Sequence, residues 1–427
     1  MREQLCSVSG IDLFSLVNPN LKSFCLSLYA RAGSLFEDAD NNGITHLFEH
    51  IVFRNLKRKY KNFYDLLALH GIHLQGCTYK EFIHFTINAP YYEFDFAVDI
   101  LCSLFDEIEL NSCEFNNEKK RIKAEIREND ERNSLDYFFN RIVWNGSEAE
   151  GTISGYCKVL DSISIKKIND FRKKILSCGN CFIYVTGNVS DDNMGILEEK
   201  IGKIDIEQKN AVFKNEVTVS SDFFRRDGKI KVKNGCWTYI KIGFDFESQK
   251  YPDGIYDLIY SILFSGDKSL VHNCLSEDNP MIYSFDSTQE QYDNIGNMNF
   301  KFEVQPDKIK ESIETVIKIL NDVKNGNFNF DANLKYEINR LEMFWDNPDD
   351  LNWNMAFNNH ILKSTPIDFE DKYYGRFKDI TKEQIMKAAC EMFKLCNMTV
   401  AIKGDKRKIK AEEIEETFKY LTKESER

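Results

Sequence analysis

The sequence predicts an α+β protein made of two similar domains in tandem, each a mainly antiparallel sheet packed with helices. Three observations carry this prediction: short apolar or alternating runs bounded by turn residues, charged stretches of helical character between them, and a second half that repeats the apolar scaffold of the first. With 427 residues the chain is long for a single core. Its 42% hydrophobic and 29% charged content is that of a globular protein.

Residues 11–33 hold two strand-like runs, IDLFSLV and SFCLSLYARAG, separated by an Asn-Pro-Asn turn. A polar loop follows at 37–42, and its Asp and Asn side chains suit the start of a helix. GITHLFEHIVF, residues 43–53, reads as that helix, and a second helix covers 61–69 before the stop at Gly71. HLQGCTYKEFIHFTINAP alternates as one or two strands. From Phe94 to Leu110 the apolar residues Phe94, Ala97, Val98, Leu101, Leu104 and Phe105 recur at helical spacing. Residues 114–142 are charged and free of Gly and Pro, and read as one long helix. After the turn-rich WNGSEAEGTISGY, a helix (SISIKKINDFRKKI), a strand (CFIYVTGN) and a helix (NMGILEEKIGKI) complete a unit near residue 205.

The second half repeats this pattern. At an offset of 211, from Gly43 to Gly254, GITHLFEHIVF lies over GIYDLIYSILF, and Gly, Ile, Leu, Ile and Phe coincide. At an offset of 217, Ile163 pairs with Ile380, Asn180 with Asn397 and Gly187 with Gly404. The expected division is therefore a first domain at 1–206, an extended polar connector at 207–228 and a second copy at 229–427.

The residues that differ between the copies carry the chemistry. On a helix, His46, Glu49 and His50 project from one face, so two imidazoles can hold one metal ion beside a carboxylate that is free to act as a base. In the second copy these positions are Asp257, Tyr260 and Ser261, so only the first can bind the metal. The alternative is that the histidines merely pack, since Leu47, Phe48 and Ile51 show the helix to be buried. A third ligand is available in the long helix, where Glu118 and Glu125 lie two turns apart on nearly one stripe, although a solvated charged face explains such residues equally.

The order H-x-x-E-H, followed after 74 residues by Glu125 with Glu118 seven residues before it, resembles the pitrilysin-type zinc metallopeptidases. That superfamily includes insulin-degrading enzyme and the mitochondrial processing peptidases. The resemblance covers essentially the whole chain. It implies Zn2+ held by His46, His50 and Glu125, Glu49 as general base and Glu118 as an accessory acid. It also implies an edge strand that pairs with the substrate backbone at Gly76, Cys77 and Thr78, where the family usually has Asn-Ala; an ordinary core strand is the other reading. In LSEDNPMIY the resemblance places a substrate-facing phenol at Tyr283, but the family's arginine position is Ser276.

The expected function is a zinc-dependent endopeptidase that cleaves small or unfolded peptides in a chamber formed by two chains, as a homodimer or as the zinc-bearing subunit of a heterodimer that processes a peptide precursor. A non-catalytic peptide-binding or scaffold subunit of the same fold is the alternative. The net charge of −12 argues against nucleic acid as the main partner, so none is expected. No apolar run approaches the ~18 residues that span a bilayer, and the N-terminus lacks the order of a secretory signal, so a cytoplasmic location away from membranes is expected. The twelve scattered cysteines suit reduced thiols, and Cys178 and Cys181, which lead into a strand, read as structural.

Overall fold

The computed structural model describes residues 3–129, 133–208, 229–252, 254–292, 294–356 and 375–421. Residues 209–228, most of the expected connector, lie outside the described residues. The strands are β1 (Gln4–Val8), β2 (Ile11–Val17), β3 (Ser23–Arg31), β4 (His73–Thr78), β5 (Phe82–Pro90), β6 (Cys181–Gly187), β7 (Lys229–Asn234), β8 (Tyr239–Glu247), β9 (Phe285–Gln291), β10 (Ile295–Glu303) and β11 (Met398–Gly404). Helices α1 (Ile44–Lys59), α2 (Phe63–Leu69), α3 (Phe94–Ser103), α4 (Ser112–Glu128), α5 (Leu135–Val143), α6 (Cys157–Ser162), α7 (Ile165–Ile175) and α8 (Asp191–Gly202) come from the first half. The second half supplies α9 (Ile255–Phe264), the single turn α10 (Leu270–His272), α11 (Ile309–Lys324), α12 (Phe330–Phe344), α13 (Pro348–Met355), α14 (Gly375–Lys378), α15 (Lys382–Met392) and α16 (Ala411–Phe418).

Two sheets repeat one topology. The first runs β1-β2-β6-β3-β5-β4 and the second β7-β11-β8-β10-β9. In each, one parallel pair (β2 with β6, β7 with β11) precedes antiparallel neighbours. Gly43 and Gly254, matched by the sequence repeat, both start a helix in the left-handed region, at φ 92° and 93°. An L side chain is strained there, which explains why the repeat keeps glycine at both positions.

The chain forms two units, and neither is one continuous stretch. One contains Met1–Asn129, Gly151–Glu216 and Leu341–Lys372; the other contains Asp130–Glu150, Val217–Arg340 and Tyr373–Arg427. This exchange of two segments is invisible in a division at 207–228. In the first unit α13 lies on the sheet: Tyr29 Oη donates to Asn352 Oδ1 at 2.9 Å, and Asn352 Nδ2 donates to the Tyr184 carbonyl at 3.0 Å. In the second, Asp136 of α5 receives Lys241 at 2.7 Å and Lys301 at 2.8 Å.

Three local expectations are corrected. The run 114–142 is two helices, because Asn129 and Ser134 favour helix ends over helix interiors; the Ser134 hydroxyl accepts the Tyr137 N–H and starts α5. The helix expected to reach Leu110 ends at Ser103. Further on, Asn169 of α7 holds the backbone of Ile108, accepting from its N–H at 2.9 Å and donating to its carbonyl at 3.1 Å. The Asp and Asn side chains of 37–42 do not cap α1; Glu37 does. Strand β1, paired antiparallel with β2, is an element that the sequence pattern did not reveal. Among the described residues no helix is long and apolar enough to cross a membrane.

Candidate metal centre

Helix α1 is fixed at its start by a carboxylate. Glu37 accepts from the backbone N–H of Gly43 at 2.6 Å and of Thr45 at 2.9 Å, and from Thr45 Oγ1 at 2.6 Å. These N–H groups have no partner inside the helix, and an anion is favoured at a helix N-terminus. Burial raises the Glu37 carboxyl above its usual range while these bonds pull it back. Leu47, Phe48 and Ile51 are fully buried, and Phe48 meets Phe85 of β5 and Phe171 of α7 edge-on at 6.3 and 6.0 Å. That packing sets the rotation of α1 and turns His46, Glu49 and His50 toward α4 and β4.

Helix α4 begins with a capping box between Asn111 and Glu114, and buries Phe115, Ile122 and Ile126. The same rotation brings its acidic stripe to the histidines. His46 Nε2 lies 3.8 Å from Glu125 Oε1, and His50 Nε2 lies 3.5 Å from Glu125 Oε2. One ligand atom from each of the three residues falls within 4.8 Å of the others. A tetrahedral zinc with bonds of ~2.0–2.1 Å separates its ligands by roughly 3.3 Å, so the donor set fits this ion with small side-chain adjustments. Burial, and next the neighbouring His50, lowers the His46 imidazole to about 4, which leaves it neutral and able to donate a lone pair. Its Nδ1 is buried without a hydrogen-bond partner among the described residues.

Glu49 stands beside this trio. Thr78 Oγ1 of β4 donates to Glu49 Oε2 at 2.6 Å, a contact that the sequence reading did not foresee because the residues are 29 apart. Burial raises the Glu49 carboxyl, opposed by the Thr78 bond and by His50. Glu118 is on the other side of His50, 3.9 Å from its Nδ1, and that imidazole is the main cause of its lowered carboxyl. The two glutamates of α4 thus separate: Glu125 faces both histidines on their Nε2 side, and Glu118 faces the back of one ring.

Of the suggested docking residues, all three lie on β4, which ends its sheet and has β5 as its one neighbour among the described residues. Gly76 is required by close approach: a Cβ there would lie 2.9 Å from Phe53, 3.0 Å from Glu49 Cγ and 3.2 Å from Phe85. Cys77 is half-buried, with its thiol raised by burial and then by Glu49. Tyr283 belongs to the other unit, where its side chain is 96% exposed, and Ser276 lies in the turn that precedes it. Cys178 and Cys181 are free thiols at the head of β6; Cys181 is buried and donates to the Ser177 carbonyl at 3.6 Å.

The second unit shows what replaces the metal chemistry. Asp257 pairs with Arg376 and accepts from Gln289 at 3.0 Å, Tyr260 bonds Ser287 Oγ at 2.7 Å, and Ser261 donates to Glu337 Oε1 at 2.5 Å. Glu337 is 212 residues after Glu125 and keeps its carboxylate, now 1% exposed and tied by Arg340 at 2.9 Å. The repeat offset of 211, extended to the second long helix, falls one residue short of it, on Tyr336.

Comparison with known proteins agrees with this asymmetry. Residues 14–155 match the model of the insulinase family, peptidase family M16, and residues 162–336 match the model of the M16 peptidase inactive domain. The uncharacterized zinc protease YmxG of Bacillus subtilis is 20% identical over 321 residues, 74% of this chain and 77% of that protein. The beta subunit of human mitochondrial-processing peptidase is 26% identical over 193 residues, which is 44% of this chain and 39% of that subunit, so the match spans less than half of this relative. A protease from Helicobacter pylori has the same fold, with a TM-score of 0.81, 17% identity and coverage of 94% of this chain and 99% of its own. The first half of the periplasmic protease PqqL of Escherichia coli follows with a TM-score of 0.76, 12% identity and coverage of 99% and 97%. With its two tandem domains and the family models matched in order along it, this chain belongs to the M16 peptidase family.

Proposed function

We propose that this chain is a zinc endopeptidase that cuts small or unfolded peptides laid along β4. The observation that carries the reading is the convergence of His46, His50 and Glu125 within 4.8 Å, beside a half-buried Glu49 held by the edge strand. These three residues would hold Zn2+, which when bound supplies Lewis acidity that polarises a scissile carbonyl and acidifies water. Glu118 orients the His50 ring from its Nδ1 side, as a second carboxylate does for many ligating histidines. Glu49 takes the proton of the attacking water and passes it to the leaving amine; burial, which raises its proton affinity, suits both steps. The outer edge of β4, which has no strand partner among the described residues, bonds the substrate main chain, which favours extended peptides with little demand on sequence.

Ser276 stands where the family resemblance puts an arginine, and a serine supplies no charge. We infer that a second chain, a copy or a relative, contributes the missing cation; a human relative named as a subunit supports an assembly of this kind. A reducing, cytoplasmic setting is proposed from the free thiols.

The test is cleavage of an unstructured fluorogenic peptide by the purified zinc-loaded chain, with and without chelator, and by Glu49→Gln. Chelator-sensitive cleavage that Glu49→Gln abolishes while retaining zinc supports the reading. Cleavage by Glu49→Gln, or failure to bind zinc, overturns it. Stoichiometric zinc with activity only after a second M16 chain is added assigns the cation to that partner. Zinc and peptide binding without turnover in any combination favours a peptide-binding subunit instead.

A further inference from the structure

A peptide strand added to β4 has two faces, and the sheet treats them differently. Gly76 and Thr78 turn toward α1: a Cβ on Gly76 would meet Glu49, and Thr78 donates to it. Cys77 has the opposite parity and is the cross-strand partner of His84, whose ring stacks on Tyr29 at 5.2 Å on the far face. At the edge of that face lies an aromatic cluster. Tyr79, just past β4, stacks on Phe82 at 4.6 Å and lies 5.2 Å from Trp353 of α13, which is itself 5.2 Å from His84. Phe82 and His84 are buried, whereas Tyr79 is 36% exposed and Cys77 and Trp353 are half-buried. The far face at this edge therefore offers aromatic and thiol surface, and the α1 face offers a carboxylate and a hydroxyl.

We propose that Tyr79, with Cys77 and Trp353, forms a specificity subsite that selects a large apolar or aromatic side chain at one position of the docked peptide. This rests on the zinc-peptidase reading and on docking along β4. In an antiparallel ladder, directly opposed residues have Cβ atoms about 4.5–5.5 Å apart and diagonal neighbours about 7–8 Å. A substrate residue opposite Cys77 thus reaches the Tyr79 ring, while the residues on either side of it point to Glu49 and Thr78. Two residues of the chain and one of the peptide make an aromatic contact of the kind that contributes about tenfold in affinity.

The experiment uses the zinc-loaded full chain and fluorogenic peptides in which one position at a time is Phe, Leu, Ala or Asp, with kcat/KM as the readout. The same peptides are titrated against zinc-loaded Glu49→Gln by fluorescence anisotropy. The expected result is a preference of about tenfold for Phe over Ala at one position, absent at both neighbours. The preference should collapse to within about twofold in Tyr79→Ala and survive in Tyr79→Phe; Tyr79→Gln, of similar length, serves if the alanine variant fails to fold. Cleavage without positional preference, or a preference that survives Tyr79→Ala or Tyr79→Gln, overturns the subsite and leaves the peptidase reading standing. Binding with the expected preference but without turnover supports the subsite and removes the catalytic reading. Neither cleavage nor binding overturns both.

Discussion

Replacing Gly76 by alanine asks β4 to make room for one methyl group between itself and α1. The new carbon would stand 2.9 Å from Phe53 Cε2, 3.0 Å from Glu49 Cγ and 3.2 Å from Phe85 Cδ1, whereas carbon atoms rest about 3.5–4.0 Å apart. Each contact is short by roughly half an ångström. Phe85 cannot yield, because it is buried against Phe48, so the strain falls on β4 and on Glu49. Overpacking of this kind costs about 1–3 kcal/mol, or about 2–10 °C in Tm for a domain of this size. Displacing a catalytic carboxylate by a fraction of an ångström to 1 Å lowers kcat by about 10- to 100-fold. Zinc affinity should survive, since none of the three atoms belongs to His46, His50 or Glu125. Calorimetry, a zinc competition assay and peptide turnover read the three effects separately. Gly195→Ala is the control: nothing lies within 4 Å of its Cβ position, and inside α8 it should stabilise by about 0.5–1 kcal/mol. Gly76→Ala with the Tm and kcat of the parent chain would refute the argument that close approach to Glu49 requires glycine.

Removing Glu125 and Glu337 should separate the two copies. Glu125→Gln is expected to lower zinc affinity by more than about tenfold with little change in the Tm of the metal-free protein, by metal titration and calorimetry. Glu337→Ala should leave zinc content alone and cost about 1–3 kcal/mol in denaturant unfolding, since it removes the acceptor of the buried Ser261 hydroxyl, which then keeps only Lys268, and the partner of a half-exposed Arg340. Glu49→Gln should lower cleavage by about 10²–10⁴-fold at unchanged zinc stoichiometry. His84 predicts an acid sensitivity. Burial lowers its folded pKa from 6.5 to about 4, so the unfolded chain takes up the proton first. Its contribution is complete above pH ~6.5 and is lost at up to about 1.4 kcal/mol per unit as pH falls toward ~4. Urea unfolding at pH 7, 6 and 5 should show this slope, and His84→Phe should flatten it by one proton.

Much of the candidate site was legible because helix geometry is local. Residues at i, i+3 and i+4 share a face wherever the helix packs, so His46, Glu49 and His50 could be grouped before any fold was known. The repeat was legible for a similar reason: Gly43 and Gly254 serve the same left-handed turn, where the backbone itself favours glycine. Where the structure differs from the expectation, another side chain takes up backbone groups that the local pattern assigns elsewhere. Asn169 bonds the backbone of Ile108 in a segment expected to be helical, and Glu37 takes the capping role that neighbouring Asp and Asn residues are suited to fill. The break between α4 and α5 follows instead from cap-forming residues whose weight was missed in a run without Gly or Pro.

By itself, the sequence determined that this is a two-copy α+β chain with a candidate metal-ligand pair, His46 and His50, in the first copy where the second has Asp257 and Ser261, since both conclusions follow from periodicity and spacing. Only the tertiary structure decided that Glu125 faces the Nε2 atoms of both histidines while Glu118 faces Nδ1 of His50, that Thr78 reaches Glu49, and that 130–150 and 341–372 change units. Each of these depends on the register of β4 on β5, the rotation of α1 against Phe85, or the packing of α13 over Tyr29. Such contacts join residues far apart in the chain, and their geometry is set by the fit of buried side chains, which no local pattern records.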